Sequence, residues 1–310
     1  MSRTLAAALA RLLEVSGEAS QAGTCNASAF TASQRQALED LGRRTGALRL
    51  KPGGRGSVYE VVNVEVLTTH LRSLRPQRAS DIDPSIPSRA ANIAHSRSSK
   101  GRAHGHAVHY LLVKAISAGV FWRGKSEGQE EEEQQERVFD LTHATNAAGA
   151  GVLAIGEEDH WRSDQPLWLV ENQALFDRLD WLPSGSHGTV AYYAGQLPGR
   201  LLKWLARRPR ASEVIVFPDY DGVGLLNYAR LLESCVGPKS FWLMPNWQTL
   251  LKTYGSHTVW QNTLADFETA LPRLLAAGAP KEVIEMCAVL RAQGLALEHE
   301  AVWISVDLRS

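Results

Sequence analysis

The chain has 310 residues, of which 44% are apolar and 21% are charged, and its formal net charge is zero. It contains no apolar run of the about 18 residues that a membrane-spanning helix needs, and its length suits one large domain or two to three small ones. The three cysteines are widely separated and lack metal-ligand spacing. A reducing cytoplasm is therefore the expected location.

The zero net charge conceals an uneven distribution. Between Arg43 and Lys125 there are 15 Lys and Arg residues against 4 Asp and Glu residues, and six glutamates then fall between Glu127 and Glu136. A basic segment of this length predicts a polyanionic partner. The acidic run is read either as a solvated loop or hairpin tip, or as a DNA mimic that covers the basic surface.

Residues 1–66 predict a winged-helix-like α+β module that binds DNA. "LAAALARLLEV" and "TASQRQALEDLGRRTG" have helical spacing, with Thr31 or Ser33 as N-cap and a stop at Gly46. A hairpin with a "PGGRG" turn follows and would be the wing. The alternative is a small cap domain with a solvated hairpin. The residues expected to contact phosphates are Arg43, Arg44, Arg49, Lys51 and Arg55.

Residues 67–149 predict a basic arm or linker with an acidic insertion at 127–136. Ser, Arg and Pro dominate residues 73–103, and no aromatic residue interrupts them, which suits contact with a DNA backbone through residues such as Lys100 and Arg102. Three histidines follow, at positions 104, 106 and 109. Without cysteines they lack a zinc-ligand pattern, so solvated or DNA-facing histidines are expected.

Residues 150–310 alternate between apolar strand-like and helical segments. "PLWLVEN", "GTVAYYAG", "EVIVFP" and "KSFWLMPN" read as strands, and helical segments separate them. This alternation predicts an α/β domain with a mostly parallel sheet and flanking helices. The last stretch is expected to be helical through "EVIEMCAVLRAQGLALEHE" and to end in a strand-like "AVWISV".

Three carboxylates follow the predicted strands. Glu171 ends "PLWLVE", and Asp219 and Asp221 end "EVIVFPDYD". The carboxyl ends of neighbouring parallel strands share one sheet edge, so these side chains are expected to converge around Mg²⁺ or Mn²⁺, which take oxygen ligands. Gly222 and Gly224 would permit a sharp turn and the approach of a phosphate. The alternative is a structural pair in which Asp221 caps the following helix. An EF-hand loop is excluded, because positions 223 and 230 are Val and Arg.

This ordered set resembles a Toprim domain, the metal-binding fold of topoisomerases, primases and several nucleases. The resemblance carries over to Glu171, Asp219, Asp221 and Gly224, and covers roughly residues 160–300. "LVENQALF", "AYYAGQLPG" with its turn glycine Gly195, and "GLALEHE" are similar to segments of the JetD and MksG nuclease families. Those families usually have a Thr-His-Gly-like turn where this chain has Gly-Val-Gly.

The resemblance implies a Mg²⁺- or Mn²⁺-dependent DNA endonuclease that cleaves plasmid or foreign DNA. JetD and MksG serve SMC/kleisin-type ATPase complexes, so the implied partners are double-stranded DNA, such a complex and a second copy of the chain, at the nucleoid. Glu298 or Glu300 would add a carboxylate, unless both lie on a helix surface. Lys203 would hold the DNA backbone, with Arg207, Arg208 and Arg210 as further candidates, because all four precede the strand "EVIVFP". The alternative for these residues is a solvated helix face.

Two other functions stay open. The first is DNA transesterification, as in the topoisomerase VI A subunit, which also joins a winged helix to a Toprim domain and would require a tyrosine nucleophile. Tyr59 is the only tyrosine before residue 110, and it falls in the predicted wing strand rather than on a helix. The second is a non-catalytic DNA-binding adaptor of an SMC complex, for which clustered carboxylates would serve no purpose.

Overall fold

The computed structural model describes residues 2–18, 24–54, 56–77, 81–100, 106, 108–125, 136–156 and 158–304. The chain divides into two compact units, Met1–His106 and Ala107–Ser310. None of the described helices is both long enough and apolar enough to cross a membrane.

The first unit packs helices against a small antiparallel sheet. Its sheet has the order β1-β3-β2, and α1 contacts both α2 and α3. Leu9, Leu12, Leu38 and Leu41 are buried in its core together with Tyr59. The elements are α1 (Ser2–Glu18), β1 (Thr24–Asn26), α2 (Ala32–Thr45), β2 (Leu48–Gly53), β3 (Gly56–Val61), α3 (Val64–Leu74) and α4 (Ser88–Ser96).

Helix α2 begins and ends where its sequence signals predict. The Thr31 hydroxyl accepts a hydrogen bond from the Gln34 backbone, and the Gln34 side chain accepts one from the Thr31 backbone, which completes a capping box. Gly46 follows the helix in the left-handed region, with φ of 66°, where glycine is favoured. These local signals explain why this prediction is confirmed.

The second unit is an α/β structure with a six-stranded mixed sheet in the order β11-β10-β8-β9-β4-β7. Strands β11, β10, β8 and β9 run parallel, whereas β4 is antiparallel to both β9 and β7. The strands are β4 (Val108–Ala115), β5 (Phe121–Lys125), β6 (Glu136–Asp140), β7 (Gly151–Gly156), β8 (Leu167–Val170), β9 (Thr189–Tyr192), β10 (Val214–Phe217) and β11 (Lys239–Phe241). The helices are α5 (Leu141–Ala148), α6 (Gln173–Asp177), α7 (Gly199–Arg207), α8 (Gly222–Ser234), α9 (Trp247–Tyr254), α10 (His257–Ala276) and α11 (Lys281–Gln293).

Burial explains the apolar character of the central strands. All four residues of β8 are buried, as expected for a parallel strand covered on both faces. Helices α6, α7 and α8 connect the successive parallel strands, and α7 buries Leu201, Leu202, Trp204 and Leu205. The predicted βαβ alternation is confirmed at this level.

The predicted arm at 67–149 is wrong as a separate segment. Its first part contains α3 and α4 of the first unit, and its second part contains β4, which lies inside the large sheet between β9 and β7. The apolar residues Leu111 and Val113 of β4 are fully buried, so hydrophobic burial assigns this strand to the second unit. Lys114, counted in the basic segment, donates hydrogen bonds to the carbonyl groups of Phe176 and Asp177. The acidic run lies outside the described residues except for Glu136, which pairs with Arg123 at 3.6 Å.

The expected C-terminal elements also differ. Helix α11 ends before Gly294, which adopts φ of 64°, so residues 295–300 do not continue the helix. A 3₁₀ turn spans His299–Trp303, where a strand was expected. This change of path brings the "LEHE" segment to the sheet edge.

Candidate metal centre

The sheet brings two of the predicted carboxylates to the same edge. Strands β8 and β10 are parallel neighbours, with Val170 opposite Phe217 in the register. Glu171 follows β8 directly, and Asp219 follows β10 after one proline. The expectation that these two strands are neighbours is confirmed.

Asp221 caps helix α8. Its Oδ1 accepts a hydrogen bond of 2.8 Å from the Gly224 backbone, which is the usual N-cap interaction. The side chain is buried, and burial raises the pKa of Asp221 to about 6 even though the Gly224 hydrogen bond lowers it. The capping role considered in the sequence is therefore present, and it occupies Oδ1.

The glycines at the start of α8 meet protein backbone. A Cβ atom at Gly222 would lie 1.9 Å from the Thr263 carbonyl oxygen of α10, and one at Gly224 would lie 2.0 Å from the Asp219 carbonyl oxygen. Close packing of the chain therefore explains why both positions are glycine, and the approach of a phosphate to the helix start stays a prediction. Gly195 does form a turn, with φ of 76°, and its carbonyl accepts a hydrogen bond from Asn227.

The carboxyl group of Glu171 has few contacts that would stabilise a negative charge. The Tyr193 hydroxyl donates to its Oε2 at 3.3 Å. Burial, followed by the negative charges of Asp219 and Asp221, raises the pKa of Glu171 to about 8. This carboxyl therefore binds a proton more readily than an ordinary glutamate, and a nearby cation would favour its ionised form.

A long-range backbone contact adds the C-terminal segment to the site. Tyr220 and Leu297 form an antiparallel bridge, with hydrogen bonds of 2.8 and 3.1 Å between their backbones. This bridge places His299 and Glu300 next to Asp219. The His299 backbone N–H donates to Asp219 Oδ1 at 2.8 Å, and one ligand atom from each of Asp219, His299 and Glu300 lies within 4.8 Å of the others.

The imidazole of His299 is enclosed at this position. Its side chain is 0% exposed, its Nδ1 lies 2.5 Å from Asp219 Oδ1, and its Nε2 lies 3.9 Å from Glu300 Oε2. The Nε2 atom makes no hydrogen bond. Burial lowers the pKa of His299, but contact with Asp219 and the charges of Glu300 and Glu171 outweigh burial and raise it above its ordinary value.

Glu300 is oriented by the residue after Glu171. The side-chain amide nitrogen of Asn172 donates to Glu300 Oε1. Its side-chain oxygen accepts a hydrogen bond from the Ala174 backbone at the start of α6. Glu300 Oε2 is the oxygen that faces His299. Asp219 and Glu300 remain partly exposed, at 25% and 34% of their side chains, so solutes can reach the cluster.

Sequence reasoning found part of this cluster. Asp219 and Glu300 were predicted ligands, whereas Glu171 and Asp221 are not in the 4.8 Å group, although their electrostatic coupling to it shows in the pKa of Glu171. Glu298 is exposed. His299 was missed because only the two glutamates of "LEHE" were considered as ligands. Two features of the sequence could have indicated this ligand. His299 lies between two glutamates, and it follows Gly294, a residue at which a helix can end.

The donor set fits a divalent cation. Carboxylate oxygens and an imidazole nitrogen are ordinary ligands for such ions, and the buried ring nitrogens lack other hydrogen-bond partners. Among the described residues, this is the one group of three or more side chains with ligand atoms this close. The described histidines 106 and 109 are not part of it.

Six of the residues predicted to bind DNA are exposed in the structure. Arg43 pairs with Asp40 at 2.5 Å and Lys51 pairs with Glu60 at 2.7 Å, while both side chains remain exposed. The other described members are also exposed: Arg44, Arg49, Lys100 and Lys203. Arg55 and Arg102 lie outside the described residues.

Arg210 is a structural residue, which corrects its assignment to DNA binding. It is 1% exposed, pairs with Asp159 at 2.9 Å, and stacks on the Trp204 ring with 4.4 Å to the ring centroid. Burial lowers the pKa of Arg210 to about 10, and the Asp159 carboxylate opposes this shift. A phosphate cannot reach it.

No protein-family model and no curated protein matches this chain. The functional interpretation therefore depends on the residues and contacts described above.

Proposed function

We propose that this chain is a metal-dependent DNA endonuclease whose second unit is a Toprim-like catalytic domain. The observation that carries the proposal is the cluster of Asp219, His299 and Glu300, with Glu171 at the end of the neighbouring parallel strand β8. Burial, followed by the charges of Asp219 and Asp221, leaves Glu171 with a pKa of about 8. Such a set of acids is the expected anchor for a divalent cation that binds phosphate oxygens.

The residues have distinct roles in this proposal. Asp219, Glu300 and His299 hold the cation, Glu171 lies beside them, and Asp221 holds the start of α8 so that Asp219 stays at the strand end. A cation bound there would polarise the phosphoryl group and stabilise the leaving oxygen. Tyr193 and Asn172 orient Glu171 and Glu300 through the hydrogen bonds already described.

The first unit supports the proposed winged-helix role. It has the order helix, short strand, helix, hairpin, and β1 pairs with the second strand of that hairpin. Arg44 and Arg49 are exposed, at the end of α2 and on the hairpin. Cations placed in this way would contact the DNA backbone and raise affinity without reading sequence.

The surroundings of Tyr59 disfavour a topoisomerase-like transesterase. Tyr59 is 1% exposed, and its hydroxyl lies 3.4 Å from the Arg35 carbonyl and 3.5 Å from Glu39. Burial, followed by the charge of Glu39, raises the pKa of Tyr59 to about 12. A nucleophilic tyrosine needs access to phosphate and an easily removed proton, so water is the proposed nucleophile.

The test is incubation of the purified protein with supercoiled plasmid, with Mg²⁺, with Mn²⁺ or with EDTA. We expect nicked or linear DNA only with a metal, free DNA ends without attached protein, and unchanged cleavage by Tyr59→Phe. A covalent protein–DNA adduct that Tyr59→Phe abolishes would replace hydrolysis with transesterification. No cleavage under any condition, together with intact DNA binding, would favour the adaptor function.

The biological setting implied by the JetD and MksG resemblance is part of the same proposal. A homodimer recruited by an SMC/kleisin-type ATPase complex would cleave plasmid or foreign DNA in the nucleoid. Cleavage by the isolated chain should then be weak and should increase when the complex is added. Equal cleavage with and without the complex would contradict recruitment by an SMC/kleisin-type ATPase complex, while the nuclease function itself would be retained.

A further inference from the structure

The chemistry of the cluster formed by Asp219, His299 and Glu300 differs from that of the predicted all-oxygen magnesium site. One of its donors is an imidazole, fully buried and aimed at the carboxylates on either side. Mg²⁺ prefers oxygen ligands and retains its water molecules, whereas imidazole suits first-row transition ions. The identity of the third donor therefore affects which cation binds.

The protein already meets the other needs of such a site. The His299 backbone N–H holds Asp219 at its Oδ1, and Asn172 holds Glu300 at its Oε1. Each carboxylate thus has one oxygen engaged by the protein and a second available for a ligand. The Phe217 ring lies 5.4 Å from the imidazole, measured between centroids, so packing restricts the position of the ring. Supporting contacts of this kind orient metal ligands in proteins.

The contacts of the buried imidazole leave one of its ring nitrogens unsatisfied. Nδ1 lies 2.5 Å from Asp219 Oδ1, whereas Nε2 is inaccessible to solvent, makes no hydrogen bond and lies 3.9 Å from Glu300 Oε2. Buried polar atoms without partners are uncommon and destabilising. A cation bound between the ring and the two carboxylates would supply the missing partner.

We infer that Asp219, His299 and Glu300 form a mixed nitrogen–oxygen site that binds a first-row transition ion such as Mn²⁺ in preference to Mg²⁺. The inference deepens the proposed nuclease function by naming its cation, and it concerns equilibrium binding rather than cleavage. His299 is a metal ligand in this proposal, and Asn172 is a positioning residue.

The experiment measures binding of Mn²⁺ to the full chain without DNA. Free Mn²⁺ is followed by electron paramagnetic resonance, and Mg²⁺ is then added as a competitor. We expect Mn²⁺ to bind at least about tenfold more tightly than Mg²⁺. Mutation of a residue that only hydrogen-bonds to a metal ligand already changes metal affinity by about this factor. Equal affinities for the two ions, or no binding of Mn²⁺, would overturn the inference.

Three variants assign the site. Glu300→Gln should weaken Mn²⁺ binding at least about tenfold, whereas Glu298→Gln, the same change at an exposed position of the same segment, should leave binding unchanged. His299→Gln keeps an oxygen donor and should reduce the preference for Mn²⁺ over Mg²⁺. Circular dichroism and thermal unfolding without metal establish that each variant is folded. If His299→Gln does not fold, Glu300→Gln and its matched control still decide where the ion binds.

The outcome for the inference is separable from that for the proposed function. Cleavage of plasmid together with equal affinities for Mn²⁺ and Mg²⁺ would support the nuclease function and contradict the mixed nitrogen–oxygen site. Preferential Mn²⁺ binding that Glu300→Gln weakens, without cleavage under any condition, would establish the site and remove the nuclease.

Discussion

The charged side chains described above lie in different environments in the two compact units. In the first unit, Arg43 pairs with Asp40 and Lys51 with Glu60 at the surface, where such pairs contribute about 0–1 kcal/mol to stability. In the second unit, Glu171 and Asp221 are drawn into the protein, where burial raises the pKa of both. Surface charge needs no special explanation, whereas buried charge that weakens the fold calls for a ligand or a chemical role.

The second unit also shows what a compensated buried charge looks like. Asp159 accepts hydrogen bonds from the Gly156 and Trp161 backbones, from Trp204 Nε1 and from the Arg210 guanidinium. The Asp159 carboxylate therefore has several donors within the protein, whereas Glu171 has the contact with Tyr193. This contrast within one unit is one reason why we propose a function for the edge of β8 and β10.

The largest expected effect comes from neutralising the central carboxylate. Asp219→Asn keeps an oxygen to accept the His299 N–H but removes the charge, so it should reduce plasmid nicking at least about a hundredfold, the scale for losing one electrostatic transition-state contact. DNA binding, measured by fluorescence anisotropy, should stay equal or become tighter, because a negative charge near phosphate is lost. Glu298→Gln is the matched control. Nicking retained by Asp219→Asn would mean that this edge is not catalytic.

A second large effect concerns the glycines that bring α8 against α10. Gly222→Ala would place a methyl group 1.9 Å from the Thr263 carbonyl oxygen, and overpacking of this kind costs about 1–3 kcal/mol or more. We expect its Tm to fall by at least about 5 °C in thermal unfolding. Gly199→Ala, at the start of α7 where no atom lies within 4 Å of the new Cβ, should shift Tm by no more than about 1 °C. Equal Tm values for the two variants would refute the close-packing explanation.

The buried acids should give the metal-free protein an unusual dependence on pH. The folded pKa of Glu171 is about 8 and that of Asp221 about 6, both above their ordinary values of 4.5 and 3.8. Their stabilising contribution is therefore fully present below the ordinary values and is lost as pH rises, by about pH 6 for Asp221 and by about pH 8 for Glu171.

The measurement is Tm in EDTA from about pH 5 to pH 9. We expect a fall of about 5 °C across this range, and Glu171→Gln should flatten the part above about pH 6. Added Mn²⁺ should restore more stability at about pH 8 than at about pH 6, because metal ligands must be ionised to bind. A flat profile for the unchanged chain would show that these carboxyls are less strongly coupled than their burial indicates.

The smallest expected effect belongs to the exposed cations of the first unit. Replacing one phosphate contact, as in Arg49→Ala, should reduce the magnitude of the slope of log affinity against log salt concentration by about 0.9. Lys281→Ala, another exposed cation, on α11, should leave the slope unchanged. Equal slopes for the two variants would remove the DNA-binding role of the hairpin and leave it a solvated surface.

Local signals in the sequence predicted much of the fold. Capping residues and apolar spacing located α2, and the helical segment expected between "EVIVFP" and "KSFWLMPN" is α8, Gly222–Ser234. The predictions failed where an element is defined by distant partners. Strand β4 was assigned to an arm because its neighbours in the sequence are basic and polar, while its partners β7 and β9 come later in the chain.

The candidate site divides in the same way. The sequence by itself determined that Glu171 and Asp219 end neighbouring strands, because apolar runs followed by acids can be read locally and parallel strands share an edge. Only the tertiary structure decided that Tyr220 pairs with Leu297, that His299 therefore lies buried against Asp219, and that Arg210 binds Asp159 rather than DNA. These contacts join residues about 50 to 80 positions apart. Periodicity and capping describe only a few neighbouring residues, whereas such contacts are decided by the burial of the whole unit.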